Sequence, residues 1–546
     1  MNKHGLSVAA ALLVTLADSA AGDPSSTDYV VERIVEPSAF HGIHGLAFDA
    51  NDQLFAGSVN GQALYAVDRE TGRVDVAVPA PEGMADDLVF LADGTMVWTS
   101  ISAGMVRARK GDGPIRVLAR DLPSVNSINV RKHDGRLFVG QVFGADGVWE
   151  LDPEGIKPPR SIVKDVGGFN GFDVGSDGQL YGPLWFKRQV VRINPDSGEI
   201  KVIADGFGTP AAANFDSKGR LYVLDTARGE VVRINVASGE KQIVATLATS
   251  LDNLAIDSKD RLFVSNMADN AIHEVDPDTG ATREVIKGRL STPRSIASTP
   301  NGSGDDVYVA DVFAFRHVDG RTGKITDIAR SHAANTPITY ANSVTANDKH
   351  VVLTNSSGIV QRYERRSMKP IDQWRDLRGA QTALELLDGS VLVAGSPRGT
   401  LLRLSGAKGE RRKTVATDLR GPVALALDAS GNVLICETGG GLVSQIDLIH
   451  GTKRVIASDL QTPQGLTVGT DGSLFVIERD LKQLTRIDAR SGASQPVVTN
   501  LPVGRHGVEN SSAGLAAGAR GTLYVSSDIE NSIYRFTRDG IDPTAN

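Results

Sequence analysis

Polar side chains recur at one position of a repeated pattern, directly before a short apolar element of the form Gly-Leu-Ala-x-Asp. In the first half of the chain this position holds His44, Asp86, Asn126, Asn170, Ala211 and Asp252. Carboxylate and amide oxygens that converge on one axis suit a hard divalent cation such as Ca²⁺. A carboxylate or imidazole that does not bind the cation could take a proton from water. The residue types therefore predict a metal site that activates water.

The predicted site has a set of metal ligands and two catalytic residues. We predict that Ca²⁺ or Mg²⁺ is held by four side chains, Asp86, Asn126, Asn170 and Asp252, with Glu82 or Asp87 as a further ligand. Asp252 and His44 are the predicted catalytic residues. The alternative is a water-filled channel in which the same side chains only hydrogen-bond water and nearby backbone.

The second half of the chain carries a different set at the same position. It reads Arg294, Asn342, Gln381, Val423, Gln464 and Ala513. This set contains amides and one cation but no carboxylate, and so favours a water-filled channel over a metal site. The sequence therefore places the functional site in the first half.

The elements that position these residues come from one repeat. Twelve copies of about 42 residues begin near positions 41, 84, 125, 169, 210, 251, 293, 338, 380, 422, 463 and 506. Each copy holds alternating apolar strands and a hairpin with a glycine such as Gly198 or Gly239, which supplies a positive φ. This length and pattern are typical of a four-stranded propeller blade. We predict an all-β fold of tandem β-propellers, with about twelve four-stranded blades in two six-bladed rings.

The ends of the repeat predict how the rings close. An additional strand, residues 29–37, precedes the first copy, and the last copy lacks its fourth strand. We predict that residues 29–37 complete copy six and that residues 283–290 complete copy twelve, so that no sheet edge is left open. The predicted domains are an N-terminal ring over 23–282 and a C-terminal ring over 283–546. A division into seven and five blades is the alternative.

Composition limits the location and the partners of the protein. Residues 1–22 combine Lys3, an apolar run and small residues, as in a cleaved signal peptide, which predicts a periplasmic or secreted protein without a membrane span. The single cysteine, Cys436, excludes an internal disulfide and a Cys-rich metal site. Because the net charge is −7 and no basic run is present, nucleic-acid binding is not expected. The expected partners are a small-molecule substrate and, on the loop faces, a protein.

Two stretches carry a family resemblance, "NGFDVGSDGQLY" from Asn170 and "DNLAIDSKDRLFV" from Asp252. They resemble the senescence marker protein/gluconolactonase family and the related strictosidine synthase-like propellers, and the repeat frame is similar to NHL repeats and virginiamycin B lyase-like proteins. The resemblance implies a six-bladed ring with one divalent metal held by a Glu, two Asn and an Asp. Asn126 and Asn170 match the amides and Asp252 the acid. Glu82 lies nearest to the family's Glu motif, and His44 takes the equivalent place in the first copy.

The resemblance implies an exported, divalent-metal-dependent hydrolase of lactones or related esters. Two alternatives remain open at this point. One is a lyase that opens a cyclic ester, as in the virginiamycin B lyase-like proteins. The other is a non-catalytic propeller that binds a protein, peptide or polysaccharide.

Overall fold

The computed structural model describes residues 23–302, 304–334, 337–395, 399–406, 409–505 and 512–538. Within these ranges the chain forms 49 β-strands, no α-helix and three short 3-10 turns, Ile101–Ala103, Thr438–Gly440 and Ala519–Gly521. The strands form twelve sheets, eleven of four strands and one of five. The predicted all-β fold of twelve blade-like sheets is therefore confirmed. The predicted signal peptide, residues 1–22, lies outside the described residues.

Strand β1 spans Tyr29–Val35, and sheets one to six follow it in sequence order. Sheets one to three comprise β2 (Ile43–Phe48), β3 (Leu54–Ser58), β4 (Ala63–Val67), β5 (Val74–Val78); β6 (Leu88–Phe90), β7 (Thr95–Ser100), β8 (Met105–Lys110), β9 (Arg116–Ala119); β10 (Val125–Arg131), β11 (Arg136–Gln141), β12 (Gly147–Leu151), β13 (Arg160–Lys164). Sheets four to six comprise β14 (Asp173–Val174), β15 (Leu180–Leu184), β16 (Gln189–Ile193), β17 (Ile200–Ala204); β18 (Pro210–Phe215), β19 (Leu221–Asp225), β20 (Glu230–Ile234), β21 (Lys241–Thr246); β22 (Leu251–Ile256), β23 (Leu262–Asn266), β24 (Ala271–Val275), β25 (Thr282–Ile286).

Sheets seven to twelve continue the same order, and the last one takes β1 as its fourth strand. Sheets seven to nine comprise β26 (Pro293–Asn301), β27 (Gly304–Asp311), β28 (Ala314–Asp319), β29 (Ile325–Ser331), β30 (Pro337–Ile338); β31 (Ala341–Ala346), β32 (His350–Asn355), β33 (Val360–Glu364), β34 (Lys369–Trp374); β35 (Ala380–Glu385), β36 (Val391–Gly395), β37 (Thr400–Ser405), β38 (Arg411–Ala416). Sheets ten to twelve comprise β39 (Pro422–Leu427), β40 (Val433–Glu437), β41 (Leu442–Ile446), β42 (Lys453–Ala457); β43 (Pro463–Val468), β44 (Leu474–Glu478), β45 (Gln483–Ile487), β46 (Ser494–Val498); β47 (Leu515–Ala517), β48 (Leu523–Ser527), β49 (Ser532–Arg538) with β1.

Burial falls from the second strand of a sheet to its fourth strand. The second strands β19 and β23 are buried along their whole length, because both of their faces meet neighbouring sheets. The fourth strands β17 and β21 are exposed over their first three residues. The core therefore lies between successive sheets, as stacked blades require. The hairpins that join third and fourth strands carry the predicted positive φ, for example 75° at Gly198.

Sheets one to six form a first group and sheets seven to twelve a second group, and contacts join the first sheet of each group to its last. Ile43 and Leu46 of sheet one share a hydrophobic cluster with Ala255 and Phe263 of sheet six. A second cluster joins sheets seven and twelve through residues that include Ile296, Val309, Ala516 and Tyr524. These contacts support two six-membered rings. The division of the chain into two propeller domains, over 23–282 and 283–546, stays a prediction.

The predicted exchange of fourth strands is wrong. Strand β1 runs antiparallel to β49 in sheet twelve, from the pair Tyr29 and Arg538 to the pair Val35 and Ile533. Sheet six keeps its own fourth strand, since β25 pairs with β24 directly before it. A strand that follows through a short hairpin closes at a smaller entropic cost than one from the distant start of the chain. Sheet twelve has no described strand after β49, and β1 fills that edge.

Strand β1 belongs to sheet twelve, whose other strands lie near the end of the chain. In the sequence, sheets one to six therefore lie between β1 and the remaining strands of the second group. The crossover that leads from β1 into sheet one is held by both groups. The side chains of Asn270 and Asn531 both donate to the carbonyl of Phe40, and the ring of His41 contacts the carbonyl of Ile529 at 2.9 Å. These bonds fix the start of β2, where His44 lies.

The buried apolar positions of the inner strands should dominate stability. Leu254 of β22 is 1% exposed and packs among residues of sheets five and six. We expect Leu254→Ala to lower the free energy of unfolding by about 2–5 kcal/mol, because it leaves a cavity. Ile243→Ala, at a 56% exposed position of β21, should change it by less than about 0.5 kcal/mol. Urea denaturation of the two variants tests this, and equal midpoints would show that the inward face is misassigned.

Candidate functional site

Three of the predicted residues meet where the first strands of neighbouring sheets begin. His44 lies on β2, Asp252 on β22, and Asp86 two residues before β6. The strand β2 contacts both β22 and β6, so the three side chains converge. His44 Nδ1 lies 3.0 Å from Asp252 Oδ2, and ligand atoms of all three residues lie within 4.8 Å of one another. We call these residues the three-residue cluster.

The electrostatics of the three-residue cluster favour a bound cation. Burial, together with the charges of Asp252 and Asp87, raises the pKa of Asp86 to about 7, although His44 opposes the shift. Burial lowers the pKa of His44, but the charge and hydrogen bond of Asp252 and the charge of Asp86 outweigh it, so the pKa is raised overall. A divalent cation between the two carboxylates would relieve their repulsion.

One atom of the cluster has no partner in the described structure. His44 Nε2 is buried and makes no hydrogen bond there, whereas Nδ1 faces Asp252. An unsatisfied buried imidazole nitrogen is costly unless a ligand or a metal completes it. The two carboxylates fit a divalent cation, and the free imidazole nitrogen beside them fits a proton acceptor.

Asp87 has a structural role that the repeat alone did not reveal. Its carboxylate accepts the backbone N–H of Leu88 at 2.9 Å, that of Ile128 at 3.1 Å, and the side-chain N–H of Asn253 at 3.1 Å. These bonds join sheets two, three and six. A Cβ on Gly45 would lie 2.7 Å from the Cα of Asp87, so only glycine allows this approach. Asp87 therefore positions the strands that carry the cluster.

The other predicted ligands lie apart from the cluster in different ways. Asn126 of β10 and Asn170, three residues before β14, are buried at the expected inner positions. Among the described residues, no side-chain hydrogen bond joins either amide to the three-residue cluster. Glu82 is exposed and lies outside the cluster, so the place of a family-like Glu is taken by His44.

Sheet seven and the segment before sheet eight add aromatic groups that sequence reasoning missed. The ring of Phe313 lies 5.4 Å from that of His44, and the ring of Tyr340 lies 5.6 Å from Phe313. His332 stacks edge-on against Tyr340 at 5.8 Å and against Trp185 at 5.0 Å. Two groups of sheets therefore enclose the cluster. The repeat did not predict these contacts, because Phe313, His332 and Tyr340 lie in loops of the second group.

Burial also shifts the titration of these added groups. The pKa of His332 is lowered to about 4 by burial, although Asp252 opposes the shift. Burial and the charges of Asp86 and Asp252 raise the pKa of the Tyr340 hydroxyl. Both residues have a positive φ, 61° and 44°, which is strained for side chains other than glycine. A neutral imidazole and a neutral phenol thus lie near the charged cluster.

No helix in the described ranges is long and apolar enough to cross a membrane.

Solved structures resemble the chain at low identity. The extracellular domain of a one-component system from B. thetaiotaomicron is 12% identical, and the alignment covers 95% of this chain and 78% of that chain with a TM-score of 0.33. An X-ray structure described as a gluconolactonase is 13% identical over 49% of this chain and 96% of its own, with a TM-score of 0.37. The extracellular domain of a hybrid two-component system from the same bacterium is 11% identical over 94% and 77%, with a TM-score of 0.33. No conclusion about chemistry follows at these scores.

Family models match two parts of the chain. No curated protein matches the sequence. Residues 294–495 match the model described as outer membrane protein assembly factor BamB. Residues 88–297 match the model described as SMP-30/gluconolactonase/LRE-like region, which includes Asp252 but neither His44 nor Asp86. The expected resemblance is thereby confirmed: residues 88–297 are similar to the SMP-30/gluconolactonase/LRE-like region.

Proposed function

We propose that the protein is an exported, divalent-metal-dependent hydrolase of lactones or related esters. The observation that carries the proposal is the convergence of His44, Asp86 and Asp252, with ligand atoms within 4.8 Å, beside a gluconolactonase-like region. Asp86 and Asp252 would hold the cation, and Asn126 and Asn170 stay proposed as further oxygen donors.

The residues of the three-residue cluster have separate roles in the proposed hydrolysis. A bound divalent cation supplies Lewis-acid polarisation of a carbonyl oxygen. Asp252 orients His44 through Nδ1, which leaves Nε2 to accept a proton from water. The water oxygen forms a bond to the carbonyl carbon, the ring C–O bond breaks, and the proton passes from Nε2 to the leaving oxygen. The product is a hydroxy acid.

Two aromatic side chains from the second group of sheets would shield the proposed site from water. Phe313 lies against the imidazole and Tyr340 lies against Phe313, and the two rings would exclude bulk water from that side of the cluster. Exclusion of water strengthens the interactions among the charged groups. We propose that a small cyclic ester is the substrate, since the cluster is enclosed on this side.

The metal content and the reaction product of the purified protein test this function. We expect about one equivalent of a divalent ion and hydrolysis of a lactone panel to hydroxy acids, since two close carboxylates favour an ion. Chelation should abolish the activity and added ion should restore it. A product with a new carbon–carbon double bond would indicate the lyase alternative. Absence of both the ion and the hydrolysis would contradict the proposal and leave a binding propeller.

A further inference from the structure

The second group of sheets encloses a cavity of about 410 Å³. All six of its inner strands line this cavity: β26, β31, β35, β39, β43 and β47. The polar lining includes Arg294, Asn342, Gln381 and Glu385, and the remainder consists mainly of small and aliphatic side chains. The volume is that of a small-molecule site.

Arg294 is a cation without a carboxylate partner in the described structure. Its one hydrogen-bond acceptor there is Asn342 Oδ1, which lies 3.3 Å from a guanidinium nitrogen. Other buried arginines are neutralised: Arg316 lies 3.0 Å from a carboxylate oxygen of Asp311, and Arg330 lies 2.7 Å from one of Asp269. Burial lowers the pKa of Arg294, as expected for a charge removed from water without compensation.

The carboxylate of Glu385, which lines the cavity, pairs with residues other than Arg294. Glu385 pairs with Arg362 at 2.7 Å and with His350 at 2.8 Å. It lies at the end of β35, four residues beyond Gln381, which corresponds to about 13 Å along a strand. Gln381 lies near Arg294, because Asn342 bonds to both residues. Among the described residues, no carboxylate therefore compensates the positive charge at this end of the cavity.

We propose that this cavity binds a small organic monocarboxylate, with the ligand carboxylate on Arg294. A guanidinium offers five N–H donors in a fork that matches a carboxylate, and Asn342 occupies one of them. The described residues of the lining include no lysine and no second arginine, so a single negative charge balances Arg294 better than a phosphate dianion does. The neutral amides can bond the hydroxyl groups of such a ligand.

This site does not depend on the proposed hydrolase function. It lies in sheets seven to twelve, whereas the three-residue cluster lies in sheets one to six. The hydroxy acids that the proposed reaction releases belong to the same ligand class. Binding and hydrolysis can therefore succeed or fail separately.

Calorimetric titration in chloride-free buffer tests the proposal with gluconate, lactate and, as a neutral counterpart of gluconate, glucitol. We expect one binding site for gluconate or lactate, none for glucitol, and at least tenfold weaker binding in Arg294→Gln. The matched control is Arg411→Gln, at an exposed position of β38, which should bind as the wild type does.

Thermal unfolding provides a second measurement on the same proteins. Without ligand, Arg294→Gln should melt at or above the wild-type temperature, because an uncompensated buried charge is removed. Gluconate should raise the melting temperature of the wild type and leave that of Arg294→Gln unchanged. Absence of binding by both acids, equal binding by Arg294→Gln, or tighter binding of chloride or inorganic phosphate than of gluconate would each overturn the proposal.

Discussion

Asp252→Asn is expected to lose the divalent cation and lactone hydrolysis together, by more than about 100-fold. Loss of an outer hydrogen bond to a metal ligand already costs 10–100-fold in metal affinity or activity, and a direct ligand should cost more. Asp252 also orients His44 at 3.0 Å, so the substitution removes a ligand charge and disturbs the proton acceptor. Asparagine keeps the side-chain volume, and the sheet should remain folded.

Measurement of metal content and kcat/KM on the same samples decides the outcome. His44→Gln, which retains a polar side chain, should lower kcat more than metal content if its main task is proton transfer. Asn342→Ala is the matched control, because it occupies the equivalent position of sheet eight and should leave both quantities intact. Unchanged activity in Asp252→Asn with metal still bound would place the chemistry elsewhere.

The amides of the first group test the remainder of the predicted ligand set. Asn126 and Asn170 hold the inner positions that the repeat assigns to ligands, but no side-chain hydrogen bond links them to the three-residue cluster in the described structure. In the assays above, loss of metal from Asn170→Ala would show that the ligand set includes Asn170. Retention of metal would leave Asp86 and Asp252 as the proposed ligands.

The repeat was sufficient to predict the fold and the position of the candidate site. A period of about 42 residues marks each sheet, and the residue before the apolar element lies within or just before the start of each inner strand. That rule identified His44, Asp86 and Asp252 without any structure. It could not reveal which side chains hydrogen-bond across the sheets, as Asp87 does with Asn253 at 3.1 Å.

Contacts between the two groups of sheets were outside the reach of the repeat. Phe313 and Tyr340 lie in connecting segments, where the sequence of a repeat varies. Phe313 meets His44 only because the groups pack together, and Tyr340 packs on Phe313. The pairing of β1 was missed for a related reason. Its alternation suits the fourth strand of any sheet, so the choice depends on which edge is left open.

Val35→Asp is expected to lower the free energy of unfolding by about 3 kcal/mol or more, since it buries a carboxylate without a partner. Val35 is 1% exposed and packs with Ile296, Tyr524 and Ile533 in the cluster between sheets seven and twelve. Val30→Asp, on the same strand at a 57% exposed position, should cost less than about 0.5 kcal/mol. Urea denaturation of both variants measures the difference.

Hydrogen exchange shows where the destabilisation falls, and so which sheet β1 completes. Since six residues of β1 pair with β49, Val35→Asp should accelerate exchange in Ser532–Arg538 and leave Ala271–Val275 of sheet six protected. Faster exchange in sheet six instead would support the strand exchange predicted from the sequence. Unchanged exchange in both sheets would mean that β1 does not close a ring, because removal of a paired edge strand must expose the amides beside it.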